Sequence, residues 1–284
     1  MLLQRSLLAQ QSWLALIPNE DHSYLFDTNR GSLLIGKKAQ REELMKYFWR
    51  SKNKLKDLSW VESVKSEYNS FIQDGICGIH YPHDFTCSPT KIISYLQKRE
   101  RLQFECRSVL DLSKEMWDLI VCCTGPWMSE LEPSLNVKPV RGVLLQAPCS
   151  PESIEYTPMM EYGYGTPGVH FTLSFRQDDN QKCLALLGAS RREIGFSLDD
   201  LESDAEAIVA HAQDFVEADC HVLDFTTKTI GFRPAVPGSA EPYQIDVKDD
   251  IIFVYGFEGQ GVLYSALAAK EVAKIVKRKL TSQL

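Results

Sequence analysis

The stretch Phe253-Val-Tyr-Gly-Phe-Glu-Gly-Gln-Gly261 decides the fold, because it joins a β-type run to a long helical run through three glycines. The β-branched and aromatic residues up to Tyr255 predict a strand, and the run from Val262 to Lys279 predicts an amphipathic helix. Glycines here let backbone N–H groups approach a flat or anionic ligand, and the helix N-terminus adds positive potential. The segment therefore predicts a ligand-binding turn, although three glycines also fit an ordinary C-terminal turn.

Composition places the chain among globular proteins that can bury a substantial core. It has 284 residues, of which 44% are hydrophobic and 24% charged, and a length that favours two domains or one large α/β unit. The net charge is −7 and the basic residues are scattered, which argues against nucleic-acid binding. Eight cysteines form no C-x-x-C pair, which argues against a zinc site or a disulfide framework and predicts a reduced, cytoplasmic protein. The N-terminus resembles an amphipathic helix rather than a signal peptide, and no apolar run is long enough for a membrane span.

Helical and strand patterns alternate along the chain. Helices are predicted for 3–17, 39–49, 199–216 and the segment that Ser88-Pro89 opens, and strands for 31–35, 75–81, 103–109 and 118–123. Between Pro139 and Leu187 the runs become β-rich and are separated by Pro, Gly and Asp-Asp-Asn turns. This central part predicts an antiparallel sheet inserted into an α/β framework.

Three further segments carry a family resemblance when they are taken with the glycine turn. Asp118-Leu-Ile-Val-Cys-Cys-Thr-Gly-Pro-Trp127 is an apolar strand that ends in Thr-Gly-x-Trp, and Pro139-Val-Arg-Gly-Val-Leu-Leu145 enters the inserted sheet. Thr229-Ile-Gly-Phe-Arg-Pro-Ala-Val-Pro237 then precedes the glycine turn. In this order, and with 84–96, the segments resemble the D-amino-acid oxidase/glycine oxidase (DAO) superfamily of FAD-dependent oxidoreductases, over residues 3 to 278.

The resemblance implies an α/β fold with an α+β insertion. Residues 1–20, 76–136 and 226–284 are expected to form a discontinuous Rossmann-like FAD-binding domain. Residues 21–75 and 137–225 are expected to form a substrate domain centred on the antiparallel sheet.

One part of the family pattern has no counterpart in this sequence. The family begins with a strand, a G-x-G-x-x-G turn, a helix and a second strand that ends in Glu, which together hold the ADP half of FAD. The chain has no such unit, so the FAD-binding layer is expected to be incomplete at its N-terminal side and to have an unpaired strand edge. A mispredicted start, a split protein with a separately encoded segment and a degenerate remnant all remain open.

The resemblance also assigns site residues. Arg233 matches the arginine that binds the substrate carboxylate, a task that suits a guanidinium because it is always charged and binds carboxylates bidentately. The alternative is a structural arginine before a Pro-containing turn. Thr124 and Gly125 match the turn near the ribityl or phosphate part of the flavin, and we expect neighbouring Trp127 to pack rather than bind.

The glycine turn matches the segment beside the pyrimidine edge of the flavin, through Gly256, Gly259 and Gly261. Glu258 departs from the family pattern, and a carboxylate there would oppose an anionic reduced flavin unless it points to solvent or is protonated. Arg191-Arg192, near the substrate region, is interpreted as solvated surface.

The resemblance thus implies an FAD-dependent oxidoreductase that oxidises a small amine or amino acid by hydride transfer from a substrate carbon to the flavin. No metal ion is expected. The alternative is a non-catalytic remnant, or a subunit of a split flavoenzyme that binds FAD only with a separate N-terminal segment.

Overall fold

The computed structural model describes residues 2–55, 57–99, 103–106, 108–109, 111–112, 117–163, 168–177, 182–218, 220 and 223–282. The helices of this part are Leu2–Leu16 (α1), His22–Leu25 (α2), Arg41–Lys52 (α3), Val64–Glu67 (α4), Pro89–Arg99 (α5), Met128–Leu131 (α6), Leu201–Ala212 (α7) and Gly261–Ser282 (α8). The strands are Phe26–Asp27 (β1), Ser32–Lys37 (β2), Ser59–Val61 (β3), Ile76–Tyr81 (β4), Thr86–Cys87 (β5), Ile120–Cys122 (β6), Lys138–Pro148 (β7), Met159–Glu161 (β8), Val169–Gln177 (β9), Cys183–Ser190 (β10), Thr227–Ala235 (β11), Gln244–Lys248 (β12) and Ile251–Tyr255 (β13).

A large sheet of eight strands, in the order β11-β7-β10-β9-β8-β2-β4-β3, dominates the molecule. Its pairs are antiparallel except for the parallel pair β2–β8. Alternate residues of β9, such as Phe171, Leu173 and Phe175, are buried, because they point toward α7 and pack with Ile208 and Phe215. The opposite face of the sheet is thereby left for a second layer.

The second layer is a sheet of three strands, β12-β13-β6, covered by α8 and α1. Strand β13 pairs in parallel with β6 and in antiparallel fashion with β12. Helix α1 is attached to α8 by a hydrogen bond between the Ser6 and Tyr264 hydroxyls (2.8 Å) and by one from Trp13 Nε1 to the Val262 carbonyl (2.7 Å). A cavity of about 790 Å³ lies where α1 faces the large sheet, between Gln10 on the helix and Thr172 on the strand β9.

Strand β6 forms an edge of the three-stranded sheet in the described part of the chain. Beside it lies an apolar groove of about 760 Å³, lined by Val121 and Cys123 of the β6 segment, Val254 of β13 and one side of α8. Val121 is 44% exposed, which is unusual for the apolar centre of a parallel strand. The described layer therefore has an open edge, as the sequence predicts, and an uncovered apolar face lies beside it.

The antiparallel sheet predicted for 139–187 is confirmed by β7, β9 and β10. The strand predicted for 103–109 is wrong, since residues 103–106 and 108–109 are in no strand. Alternating apolar residues form a strand only where a neighbouring strand takes up their backbone hydrogen bonds. The domain boundaries stay a prediction, although the pairings place 76–81 and 227–235 in the eight-stranded sheet rather than in the smaller layer. None of the helices described is long and apolar enough to cross a membrane.

Candidate functional site

Two turns meet at the carboxyl end of the parallel pair β6–β13. The register pairs Cys122 with Phe253, so the turn at Thr124-Gly125 and the turn at Gly256 leave the sheet at the same end of these two strands. Gly125 and Gly256 have φ angles of +61° and +76°, a backbone conformation that glycine adopts without strain. Open α/β sheets bind their ligands at this carboxyl end of the strands.

The glycine turn is hydrogen-bonded to strand β11. The backbone N–H of Glu258 donates to the carbonyl of Pro234 (3.0 Å), and a side chain at Gly256 would touch Val236. A Cβ at Gly259 would lie 3.8 Å from the Arg233 side chain. These contacts place the turn and 231–237 side by side. The turn contributes Phe257 to the lining of the groove of about 760 Å³, whereas neither segment lines the cavity of about 790 Å³.

Arg233 lies on the face of the large sheet that is turned away from α7. Its guanidinium lies over Gly142 of the neighbouring strand β7, where a Cβ would come within 2.6 Å of it, and its Nη1 donates to the Ser190 carbonyl (2.9 Å). Burial lowers the pKa of Arg233, the positive charge of Arg191 lowers it further, and Glu258 raises it. No carboxylate of the described residues forms an ion pair with this guanidinium. A desolvated cation with a carbonyl as its polar partner is suited to bind an anion.

Arg191 and Glu258 form an ion pair beside Arg233. Glu258 Oε1 accepts from Arg191 Nη2 (2.6 Å) and Nε (3.0 Å), and Arg191 Nη1 donates to Glu193 (2.7 Å). The hydrogen bond that Arg191 donates to Glu258 is the largest cause of the raised pKa of Arg191. The negative charge of Glu258 is thus paired with a cation. The pairing offsets the repulsion that this carboxylate would exert on an anionic reduced flavin beside the glycine turn.

A buried ion network supports the site from the α7 side of the sheet. Asp204 accepts from Arg141 Nη2 (2.8 Å), Arg192 Nε (2.6 Å) and the Ser190 hydroxyl (3.2 Å). Arg141 is 0% exposed and also donates to the carbonyls of Ser197 and Asp199. Because the same Ser190 offers its carbonyl to Arg233, the network fixes the strand end on which Arg233 rests.

His170 adds a titratable group on β9. Burial lowers its pKa, with Arg233, His211 and Arg191 acting in the same direction and Glu161 opposing them. The imidazole is therefore held toward its neutral form while two arginines nearby stay charged.

The residues at the carboxyl end of β6 and β13 fit the ring half of a flavin. The Gly125 position is open, with no atom within 4 Å of a built Cβ. Helix α8 begins at Gly261, so the free N–H groups of its first turn face the same carboxyl end of the strands. Among the residues that the structure describes, no G-x-G-x-x-G turn leads from a strand into a helix to hold the ADP half. The letters Gly163-Tyr-Gly-Thr-Pro-Gly168 match G-x-G-x-x-G, but they lead into the strand β9 and not into a helix.

Replacing Gly142 by alanine is expected to displace the guanidinium of Arg233 and to weaken carboxylate binding by about tenfold, the loss of one net charged hydrogen bond. The free energy of unfolding should change by less than about 1 kcal/mol, because the atoms that move are the end of a flexible side chain and alanine suits a strand better than glycine. Isothermal titration with a small carboxylate and urea unfolding measure the two effects.

Gly231→Ala is the matched control for this change. Gly231 pairs with Gly142 across the two strands, and a Cβ there meets no atom within 4 Å. Equal losses of carboxylate binding in both variants would contradict a role in this binding for the Arg233 guanidinium over Gly142.

Comparison with known proteins gives the class of this fold. The family model described as FAD dependent oxidoreductase (DAO) matches residues 2–275. Glycine oxidase from Geobacillus kaustophilus superposes with a TM-score of 0.73 at 16% identity, covering 97% of this chain and 78% of that one. Glycine oxidase from Bacillus cereus ATCC 14579 gives 0.72 at 15% identity, covering 96% and 82%. L-proline dehydrogenase from P. horikoshii gives 0.68 at 12% identity, covering 96% and 78%. No curated protein matches the chain in sequence.

The family match identifies a flavoprotein of the DAO type. The chain belongs to the FAD-dependent oxidoreductase (DAO) family, whose cofactor is FAD.

The structure brings most of the residues singled out in the sequence to one place. Gly259 lies beside Arg233, Gly256 lies beside Val236 just after β11, and the Gly125–Trp127 turn packs on β11 and β7. Trp127 packs as predicted, stacked on Phe196. Arg191 and Arg192, expected on a solvated surface, are both partly exposed, with side chains 34% and 42% accessible. Both also form ion pairs, and that of Arg192 is with the buried Asp204.

Proposed function

We propose that this protein oxidises a small amine or amino acid that carries a carboxylate, with Arg233 binding the carboxylate. The observation that carries the proposal is the desolvated guanidinium of Arg233, with which no described carboxylate forms an ion pair. Structural neighbours are named for the amino acids glycine and L-proline, which agrees with such a substrate. The family match favours this enzyme over the alternative of a non-catalytic remnant.

In this proposal the chain supplies binding and orientation. Arg233 holds one end of the substrate against the large sheet, and Ser190 fixes the arginine. The N–H groups of the turn from Gly256 to Gly261 and the start of α8 would hold the flavin ring, as would Thr124-Gly125 on the other strand. FAD, when bound, accepts the hydride from the substrate carbon. No described side chain has to act as a base if the neutral amine is the reacting form.

We also propose that the ADP half of FAD is held by a further strand–helix segment with a glycine-rich turn. The segment would pair with the open edge of β6 and place its helix in the apolar groove that Val121, Val254 and α8 line. Whether it belongs to the same polypeptide or to a separate one does not change this contact. A parallel strand at this edge would bring its turn beside Thr124-Gly125, where the flavin is expected.

The test of the proposed function is the reduction of bound flavin by substrate. The protein, saturated with FAD and complemented by a segment of this kind, is mixed without oxygen with glycine, L-proline and larger amines with and without a carboxylate. We expect carboxylated amines to bleach the oxidised flavin band and amines without a carboxylate to bleach it far more slowly. Bleaching of equal rate by both groups would contradict the role of Arg233.

A further inference from the structure

Two guanidinium groups lie at the substrate side of the site, and they are not equivalent. Arg191 follows directly after Ser190, whose carbonyl accepts from Arg233 Nη1 at 2.9 Å. The two charges are close enough that Arg191 lowers the pKa of Arg233. An open pair of arginines at this place would bind two anionic groups, because each guanidinium presents a fork of donors to a carboxylate.

Glu258 closes one of these two positions. Its Oε1 accepts two hydrogen bonds from Arg191, at 2.6 and 3.0 Å, while the Arg191 Nη1 is taken by Glu193. Each of the three guanidinium nitrogens of Arg191 therefore donates to a carboxylate of the protein. Arg233 retains its charge for a ligand.

The backbone holds Glu258 in this position. The residue has a φ of +48°, in the left-handed region, and its N–H donates to the Pro234 carbonyl, one residue from Arg233. Its side chain therefore reaches from the glycine turn across to the end of β10. Because Glu258 also brings a negative charge beside Arg233, it repels a second anionic group on a ligand.

We propose that Glu258 is a specificity-determining residue that restricts the site to amines with a single carboxylate. By occupying Arg191 it leaves one guanidinium for the substrate, and by its charge it disfavours dicarboxylates. The inference rests on the proposed role of Arg233 and adds the charge class of the substrate to it.

The test compares two acids of similar shape that differ in charge. Propionate and succinate are titrated by calorimetry into the purified full chain and into the variant Glu258→Gln. The wild type is expected to bind succinate no more tightly than propionate. In Glu258→Gln the affinity for succinate relative to propionate should rise by about tenfold, because Arg191 becomes available.

Two further variants make the result specific. Glu193→Gln removes the other carboxylate of Arg191 but leaves its contact with Glu258, so the ratio of affinities should stay within twofold of the wild type. Glu258→Gln combined with Arg191→Gln should return the ratio to that of the wild type. An unchanged ratio in Glu258→Gln, in a variant that unfolds at the wild-type temperature, would overturn the proposal.

The same titrations separate this inference from the function on which it rests. Wild-type protein that binds neither acid would overturn the carboxylate site at Arg233, and the specificity claim would fall with it. Binding of propionate that Arg233→Gln abolishes, together with an unchanged ratio in Glu258→Gln, would leave the proposed function standing and refute Glu258 alone.

Discussion

Replacing Arg233 by glutamine is expected to weaken the binding of a small carboxylate by on the order of 100-fold without destabilising the fold. Charged hydrogen bonds contribute about 1.5–3 kcal/mol each, and about 1.4 kcal/mol corresponds to a tenfold change in the dissociation constant. The stability should not fall, because the guanidinium is desolvated and its described polar partner is one carbonyl. Calorimetric titration with propionate and urea unfolding measure the two quantities.

Arg233→Lys is the control for charge alone. Lysine keeps the positive charge but loses the planar fork, so the loss of binding should be smaller than in Arg233→Gln but still measurable. The competing interpretation, a structural arginine before Pro234, predicts the reverse pattern. It would be supported by a large drop in the free energy of unfolding with carboxylate binding unchanged.

Replacing Asp204 by asparagine is expected to lower the free energy of unfolding by about 3–5 kcal/mol, because it leaves the buried charge of Arg141 without a counter-ion. Asp204 and Arg141 have side chains that are 1% and 0% exposed, so water cannot take over the missing interaction. Denaturant unfolding measures the loss. We expect carboxylate binding to fall as well, since Ser190 joins this network to Arg233.

Glu202→Gln is the matched control on the same helix. Glu202 forms an ion pair with Lys228 but is 75% exposed, and exposed pairs contribute about 0–1 kcal/mol. Similar destabilisation in the two variants would show that the helix α7, and not the buried network, is sensitive to the loss of charge. Combining Asp204→Asn with Arg141→Met should recover part of the loss, because it removes the unpaired charge.

The sequence predicts the strand–turn–helix at the C-terminus and the inserted sheet well, because both depend on local signals. A β-branched run, three glycines and an apolar stripe define β13 and α8 whatever surrounds them. The alternation in β9 similarly records one buried face. The strand expected at 103–109 shows the limit, since its alternation has no described neighbouring strand to pair with.

The site is only partly predictable, because its decisive contacts join residues far apart in the chain. The motif around Arg233 identifies the arginine, but the sequence holds no signal that Glu258 would meet Arg191, 67 residues earlier. The sequence shows Gly142 after Arg141, but it does not show why a glycine is needed there. The reason is the guanidinium of Arg233, which lies over Gly142 only because β7 pairs with β11. In the sequence, nothing distinguishes the buried Asp204 from the neighbouring acidic residue Glu202 in the first turn of α7.

We propose that this chain holds the ring half of FAD, while the ADP half needs a further segment at the open edge of β6. The most direct measurement compares the affinities of the chain for FAD and for FMN, which lacks the AMP part, with and without a strand–GxGxxG–helix segment. The account predicts similar and weak affinities for FAD and FMN in the chain alone. With the segment, FAD should gain several kcal/mol over FMN, at about 1.4 kcal/mol per tenfold in the dissociation constant. Tight binding of FAD by the chain alone, about 100-fold or more above FMN, would contradict the claim.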